Sequence, residues 1–468
     1  MKTENHYEIV VVGAGQGGGP LAGAAARGGK STALIERAHV GGTCVNEGCS
    51  PTKTMVASAR VAHLVRRAAD YGVHAPSPRI DLARVHERKQ HIVDSFRAGS
   101  ERALVQAGVE LIRGDACFVG PRTLDVDIGE GARRTISADT IVINTGLRAA
   151  IPSIPGLDTI RYLTSTSIME LVEVPAHLVV LGGGYIGLEF AQLFRRFGSR
   201  VTVLQRGAQL LDHEDADVAD AVAAILRDEG IEVLLGTTVT AVEQRGVETL
   251  ARYSTRTADG SAPGTVSGTH LLVASGRRPN NDDLGLDAAG IATDDRGYIR
   301  ADDRLATNVP GVFVIGDAKG GPAFTHISYD DFRILRANLL EGGSQTTSGR
   351  QVPYTVFIDP ELGRIGMTEK EARAAGLTVR VGKLPMTSVA RALETDETRG
   401  FMKAIVDAGT QRILGAAVLG IAGGEVATIL QVAMLGGLPY TALRDGIFSH
   451  PTVAEALNNL FTAMDRAR

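Results

Sequence analysis

EIVVVGAGQGGGPLAGAAARGGKSTALIER, from Glu8 to Arg37, decides the fold. A short β-branched run, a glycine loop, an alanine-rich stretch and a second apolar run read as strand, loop, helix and strand. Gly13, Gly15 and Gly18 fit G-x-G-x-x-G directly after a strand and before a helix. Glycine permits the tight turn there and lets the backbone approach a pyrophosphate at a helix N-terminus. Glu36 closes the second strand, where a carboxylate accepts hydrogen bonds from ribose hydroxyls. A glycine motif alone is a weak signal, and a turn without a ligand is the competing reading. Strand, helix and Glu36 in one register favour a bound dinucleotide.

The same plan recurs in HLVVLGGGYIGLEFAQLFRRFGSRVTVLQR, His177 to Arg206, with Gly182, Gly184 and Gly187 in the loop. Each unit runs on into short, turn-rich strands, ending in TIVINTG (Thr140 to Gly146) and HLLVASG (His270 to Gly276). Two dinucleotide-binding domains with parallel sheets are the expected α/β architecture. The counterpart of Glu36 is Gln205, followed by Arg206. An acid there would repel a ribose 2′-phosphate, whereas a neutral residue beside an arginine removes the repulsion and offers a cation. NADPH is therefore expected over NADH. Against it stands the plain reading of Arg206 as a solvated surface arginine.

Beyond Gly276 the pattern changes. NVPGVFVIGDAKGG (Asn308 to Gly321) is a short apolar strand ending in Gly-Asp, and THISYDDFRILRANLLEGG reads as a helix. GGSQTTSGRQ (Gly342 to Gln351) reads as a linker. RGFMKAIVDAGTQRILGAAVLG gives two alternating runs around Asp407, a hairpin in a separate α+β region. The expected domains are 1–150 completed by 277–345, then 151–276, then 346–468.

With 468 residues, 44% hydrophobic and 22% charged, the chain has the balance of a globular protein able to bury large cores. A formal net charge of −4 gives no reason to expect nucleic acid or an anionic membrane as partner. No apolar run spans a bilayer, and MKTENHYEIVVVGAG enters a strand too soon for a signal peptide. A cytoplasmic enzyme is expected. Three cysteines are too few for a disulfide framework, so a pair among them is more readily catalytic or metal-binding.

Two of the three, Cys44 and Cys49, share the phrase GGTCVNEGCSPTK. A zinc half-site would need two further ligands, and no second cysteine pair exists, so no metal is expected. Two inert buried thiols are the bland alternative. A redox pair fits best beside two dinucleotide loops, since a thiol near a helix N-terminus favours the thiolate needed for exchange. Cys117, in GDACFVG, has no partner by sequence and reads as a structural thiol. Exchange also needs a proton carrier. Among eleven histidines His450 stands out, because Pro451 can open a helix from which Glu455 would orient the imidazole. Taken alone, a satisfied surface histidine is the commoner case.

GGTCVNEGC, LGGGYIGLEF, ASGRRPN, VFVIGDA and HPTVAE, in this order, resemble the flavoprotein disulfide reductases, which include glutathione reductase, dihydrolipoamide dehydrogenase and mercuric reductase. The resemblance covers nearly the whole chain. It implies FAD on Gly13, Gly15, Gly18 and Glu36, with Thr43, Lys53, Thr145, Gly146 and Asp317 along it. It implies NAD(P)H on Gly182, Gly184 and Gly187, near Gln205, Arg206 and Gly276, with Tyr185 as a lid and Glu189 paired with Lys53. Cys49 would be the thiolate touching the flavin, Cys44 the interchange thiol, and His450 with Glu455 the acid/base pair. In that family the histidine serves the other subunit's disulfide, which implies a homodimer joined through the last domain. Electrons would pass from NAD(P)H through FAD and the cysteine pair to a small-molecule substrate.

Departures within the family narrow that substrate. Dihydrolipoamide dehydrogenases usually carry an acid where Gln205 stands. Mercuric reductases usually add a cysteine pair near the C-terminus and a tyrosine in place of His450, whereas this chain ends NLFTAMDRAR. GGPAFTHISYDDFRILRANLL, VPYTVFIDPELGRIGMTEKEA and GGLPYTALRDGIFSHP resemble the reactive-chlorine-resistance flavoproteins. That resemblance implies a thiol-reactive oxidant such as hypothiocyanous acid, a disulfide or copper(II), with mercuric or dihydrolipoamide reduction as the alternative. A non-catalytic flavin redox sensor would use the same binding residues without turnover.

Overall fold

The structure, a computed structural model, describes residues 5–466. It resolves into two compact units. The first comprises Met1–Met55, Ala83–Ala150 and Gly276–Arg350; the second comprises Val56–Leu82, Ile151–Ser275 and Gln351–Arg468.

In the first unit the strand His6–Val12 lies between Thr32–Glu36 and Ala132–Ile143, all parallel. Glu110–Arg113 extends the sheet beyond Thr32–Glu36, and Val312–Val314 pairs with the end of Ala132–Ile143. The β-branched strand residues are buried on both faces, as a sheet covered on both sides requires. Val10 and Val12 join Ile35, Phe118 and Ile141 on one face. Ile9 and Val11 turn to the other, against Leu21 of the helix Gly18–Arg27 and Leu335 of the helix Thr325–Leu340. Truncating Leu21, which is fully buried, to alanine should cost about 2–5 kcal/mol.

The second unit repeats the motif. His177–Leu181 lies between Arg200–Leu204 and His270–Val273, with Glu232–Leu234 outermost, all parallel. An antiparallel meander of Thr237–Arg245, Glu248–Thr257 and Gly260–Gly268 follows. The C-terminal residues form a five-stranded antiparallel sheet in which Phe401–Asp407 and Ile413–Gly420 are the hairpin expected around Asp407. The helices Gly423–Leu435 and Ala456–Arg466 pack Leu430, Leu457, Leu460 and Phe461 against it.

Buried charge joins the repeat to the C-terminal sheet inside this unit. Arg196, on the helix Tyr185–Phe197, pairs with Glu229 at 2.7 Å and Asp359 at 2.5 Å, and Arg399 pairs with Glu229 at 2.8 Å. Lys403 meets Asp215, Asp217 and Glu369 within 3.0 Å.

Candidate active site

The first glycine loop is built by close approach. Gly13 has φ +103°, and a Cβ there would lie 2.3 Å from the Asn144 carbonyl oxygen. A Cβ on Gly18 would lie 2.2 Å from the Gly13 oxygen, and one on Gly15 2.9 Å from Asn144 Oδ1. Any side chain at these positions would therefore destroy the turn. Glu36 does more than close the strand: its Oε2 accepts from the Ala14 amide at 2.8 Å and its Oε1 from the Ala38 amide at 2.9 Å. A backbone cradle at the start of a helix, flanked by a carboxylate, fits the pyrophosphate and ribose of a dinucleotide.

Asn144 organises this loop and was not singled out by sequence. Its Oδ1 accepts from the Gly18 amide at 2.9 Å, and its Nδ2 donates to the Ile315 carbonyl at 3.2 Å. The signal was present: one polar residue between the apolar run TIVI and Thr145. Thr145 donates to Asn281 Oδ1 at 2.9 Å, and the Gly146 carbonyl accepts from the Asn280 amide at 3.0 Å. Gly276, at φ +149°, accepts from the Ala150 amide at 3.0 Å.

Asp317 follows the strand Val312–Val314 in a short 3₁₀ turn, where burial pushes its carboxyl above the usual range. The turn is held by Asp331, a second residue passed over. Fully buried, Asp331 accepts from the Gly316 amide at 2.8 Å, from Arg350 at 2.6 Å and from Lys319 at 3.1 Å. Its spacing from Ile327 and Ile334 put it on the buried face of the helix.

The second loop repeats the first. Gly182 has φ +114°, with a Cβ 2.5 Å from the Ala274 oxygen, and a Gly187 Cβ would lie 2.3 Å from the Gly182 oxygen. Gly184 precedes the helix, where a Cβ would meet open space, and Tyr185 begins it half-buried. Gln205 is buried: its Oε1 accepts from the Gly183 amide at 3.0 Å, while its Nε2 donates to Asp212 Oδ1 at 3.0 Å and the Gln209 carbonyl at 3.2 Å. Arg206 next to it is exposed. Glu189 is buried and accepts from the Phe357 amide at 2.9 Å. Lys53 belongs to the first unit and Glu189 to the second.

Cys44 and Cys49 come together in the first unit, within hydrogen-bond reach of each other. Thr43 and Cys44 lie on the short helix Gly42–Asn46, and Cys49 is the first residue of the helix Cys49–Arg66. Gly42 packs against the first glycine loop, where a Cβ would lie 2.7 Å from the Gly15 Cα. A hydrogen bond to Cys49, reinforced by burial, pushes the Cys44 thiol far up, while Thr325 and the charge of Lys53 draw it down. The thiols thus differ in environment: Cys44 is half-buried, and Cys49 sits exposed at the positive end of a helix. Cys117 lies apart on the strand Asp115–Gly120, half-buried, 3.7 Å from the Phe118 carbonyl.

His450 and Glu455 meet in the second unit, with Nδ1 2.8 Å from Glu455 Oε2 and the imidazole largely exposed. The expected helix opening at Pro451 is corrected. The His450–Pro451 bond is cis, residues 453–455 form a turn, and the helix begins at Ala456. Thr452 explains the difference. Its hydroxyl donates to the Ser449 carbonyl and accepts from the Glu455 amide, and such local bonds compete with helix formation. Glu455 orients the imidazole from that turn.

Among the described residues no helix is long and apolar enough to cross a membrane. The chain matches the family Pyridine nucleotide-disulphide oxidoreductase over residues 7–331 and its dimerisation domain over residues 352–461. It is 40% identical over 463 residues to "Probable pyridine nucleotide-disulfide oxidoreductase RclA" of Escherichia coli (strain K12), covering 98% of this chain and 99% of that protein. It is 35% identical to a mercuric reductase of Streptomyces lividans, covering 98% and 96%. A solved structure described as the Cu(II) complex of the HOCl-induced flavoprotein disulfide reductase RclA from E. coli superposes with a TM-score of 0.89 at 39% identity, covering 98% of this chain and 99% of that one.

Proposed function

The chain belongs to the pyridine nucleotide-disulphide oxidoreductase family, an enzyme family that uses FAD and NAD(P)H, and on that premise we propose that it reduces a small thiol-reactive oxidant at Cys44 and Cys49. The observation that carries this reading is the placement of the cysteine pair, Cys44 half-buried and Cys49 exposed at a helix start, beside the first glycine loop. Bound FAD supplies the relay of an electron pair from reduced nicotinamide to the cysteine sulfurs. FAD lies along 1–150 completed by 277–345, the nucleotide on 151–276, and 346–468 forms a homodimer interface. The dimerisation-domain match supports that last assignment, as do exposed Val432, Leu435 and Leu438 around the end of one C-terminal helix. Gly13, Gly15, Gly18 and Glu36 hold the FAD pyrophosphate and ribose. Gln205 leaves room for a 2′-phosphate that Arg206 meets, favouring NADPH.

Cys44 attacks the oxidant and Cys49 closes the disulfide. With hypothiocyanous acid the two thiols give up two electrons, the Cys44–Cys49 bond forms, and thiocyanate, a proton and water leave. His450, held by Glu455, carries the proton for the partner subunit's pair. The HOCl induction and the Cu(II) complex of the E. coli relative support an oxidant of this kind. Initial rates of NADPH and NADH oxidation against hypothiocyanous acid, copper(II), mercury(II), lipoamide and glutathione disulfide test the reading. Turnover confined to hypothiocyanous acid or copper(II) is expected; preference for one of the other three would overturn it.

A further inference from the structure

Leu211 adopts φ +48°, a left-handed conformation that leucine rarely takes. Such strain persists only where the surroundings over-determine it. Here the Leu211 amide donates to the Gly183 carbonyl at 3.0 Å, and the Leu211 carbonyl accepts from the Glu214 amide at 2.8 Å. Gln209 closes the turn, its Nε2 donating to the Glu214 carbonyl at 3.0 Å. Gly183 lies inside the second glycine loop, and its amide is taken by Gln205. Both backbone groups of Gly183 are therefore held, the N–H by Gln205 and the carbonyl by the strained turn. Leu210 fills the space beside Gly183, 2.6 Å from where a Cβ would stand.

The turn is tied in its own right to the C-terminal sheet, inside the same unit. Glu214 is buried: its Oε2 pairs with Arg364 Nε at 2.8 Å, and its Oε1 accepts from the Tyr354 hydroxyl. Tyr354 and Arg364 stand opposite each other on the antiparallel strands Tyr354–Val356 and Glu361–Gly366, so both polar groups converge on one carboxylate. A buried carboxylate is costly anywhere but against such partners, which fixes the turn at one place on the sheet. Asp215 anchors the following helix separately, accepting from the Glu369 and Lys370 amides at 2.9 and 3.0 Å.

We propose that Glu214 is a positioning residue for the nicotinamide nucleotide: through the Leu211 turn it sets the Gly183 peptide in the geometry that the nucleotide pyrophosphate requires. This role rests on the nucleotide placement proposed above and adds the C-terminal sheet to it. Glycine-loop amides meet the pyrophosphate, which NADPH and NADH share. Glu214 therefore governs affinity for both and leaves the choice between them to Gln205 and Arg206.

The test follows flavin reduction of the FAD-loaded protein by NADPH and by NADH in the stopped flow, which gives the nucleotide Kd and the limiting rate separately. Glu214→Ala should weaken both nucleotides by about 10-fold, the scale of one displaced hydrogen bond, with the limiting rate, the FAD content and the NADPH-to-NADH ratio unchanged. Tyr354→Phe removes a single hydroxyl and should weaken both by about 3-fold. Glu214→Gln keeps an acceptor for Tyr354 and should bind more tightly than Glu214→Ala. Where Glu214→Ala does not fold, the tyrosine variant decides alone. Parental Kd values in Tyr354→Phe, or a limiting rate or FAD content that falls in step with affinity, would overturn the inference. Gly182→Ala separates the two layers: parental binding there would refute the nucleotide placement itself, whereas lost binding there beside parental Kd values in the Glu214 and Tyr354 variants would refute only the role of Glu214.

Discussion

The Gly183 amide donates to Gln205 Oε1 at 3.0 Å. One repeat earlier the Ala14 amide donates to Glu36 Oε2 at 2.8 Å. The residue that closes the second strand thus holds the glycine loop in both repeats. An amide oxygen and a carboxylate oxygen serve that structural task equally. They differ in what else the group does, and at Gln205 the second half of the amide is committed to Asp212.

Replacing Gln205 with glutamate should therefore act twice. The new oxygen would face Asp212 and the Gln209 carbonyl in place of a donor, costing about 1–3 kcal/mol of stability. It should also raise KM for NADPH more than for NADH. Urea unfolding and steady-state kinetics read the two effects separately.

Arg206→Ala should raise KM for NADPH roughly 10- to 100-fold and leave NADH nearly unchanged, the loss expected for one charge-assisted contact. Equal effects on both nucleotides would remove Arg206 from phosphate recognition.

Gly13→Ala and Gly182→Ala should fail differently. Each puts a Cβ within 2.5 Å of a carbonyl oxygen at a φ that alanine avoids. Gly13→Ala should purify without FAD, read from flavin absorbance. Gly182→Ala should keep FAD and lose its reduction by NADPH in the stopped flow.

Cys44→Ser should keep FAD and its reduction by NADPH but abolish oxidant turnover. His450→Gln should slow turnover by about 10² to 10⁴-fold with flavin reduction intact, the span of a lost general acid/base.

Arg196→Met should destabilise the second unit by about 3–5 kcal/mol near neutral pH, because it removes the arginine paired with Asp359 and leaves Glu229 with Arg399 as its ion-pair partner. Burial alone would push Glu229 up, but the hydrogen bonds and charges of Arg196 and Arg399 outweigh it and hold its carboxyl below the ordinary range. A carboxyl depressed in the folded state stabilises above its unfolded pKa, and that contribution is lost as pH falls through the folded value. The gap between variant and parent should narrow in acid, as measured by urea midpoints across pH.

The two glycine loops were legible because their spacing encodes their geometry: a residue fitting a 2.3 Å gap can only be glycine. The hairpin around Asp407 was legible from alternation. Asn144 and Asp331 were not, because their task is to bind backbone groups distant in sequence, and neither belongs to a spacing motif. The pairing of His450 with Glu455 was found for a partly mistaken local reason. Proline suggested a helix start, while the Thr452 hydroxyl closed a turn instead. Thr325 lies 276 positions from Cys49, a proximity that only the folded chain displays.

In the genetic code glutamine and glutamate are a single base apart, so the Gln205 codon can mutate to an acid readily. Asp212 makes that step deleterious by itself, since the acid would displace the donor on which Asp212 depends. A lineage could place an acid at this position without that cost only by altering residue 212 as well, before or alongside residue 205. The hydrogen bond between the two side chains thus acts as an epistatic lock, tying any acid at position 205 to the residue at position 212 although the codon change is minimal.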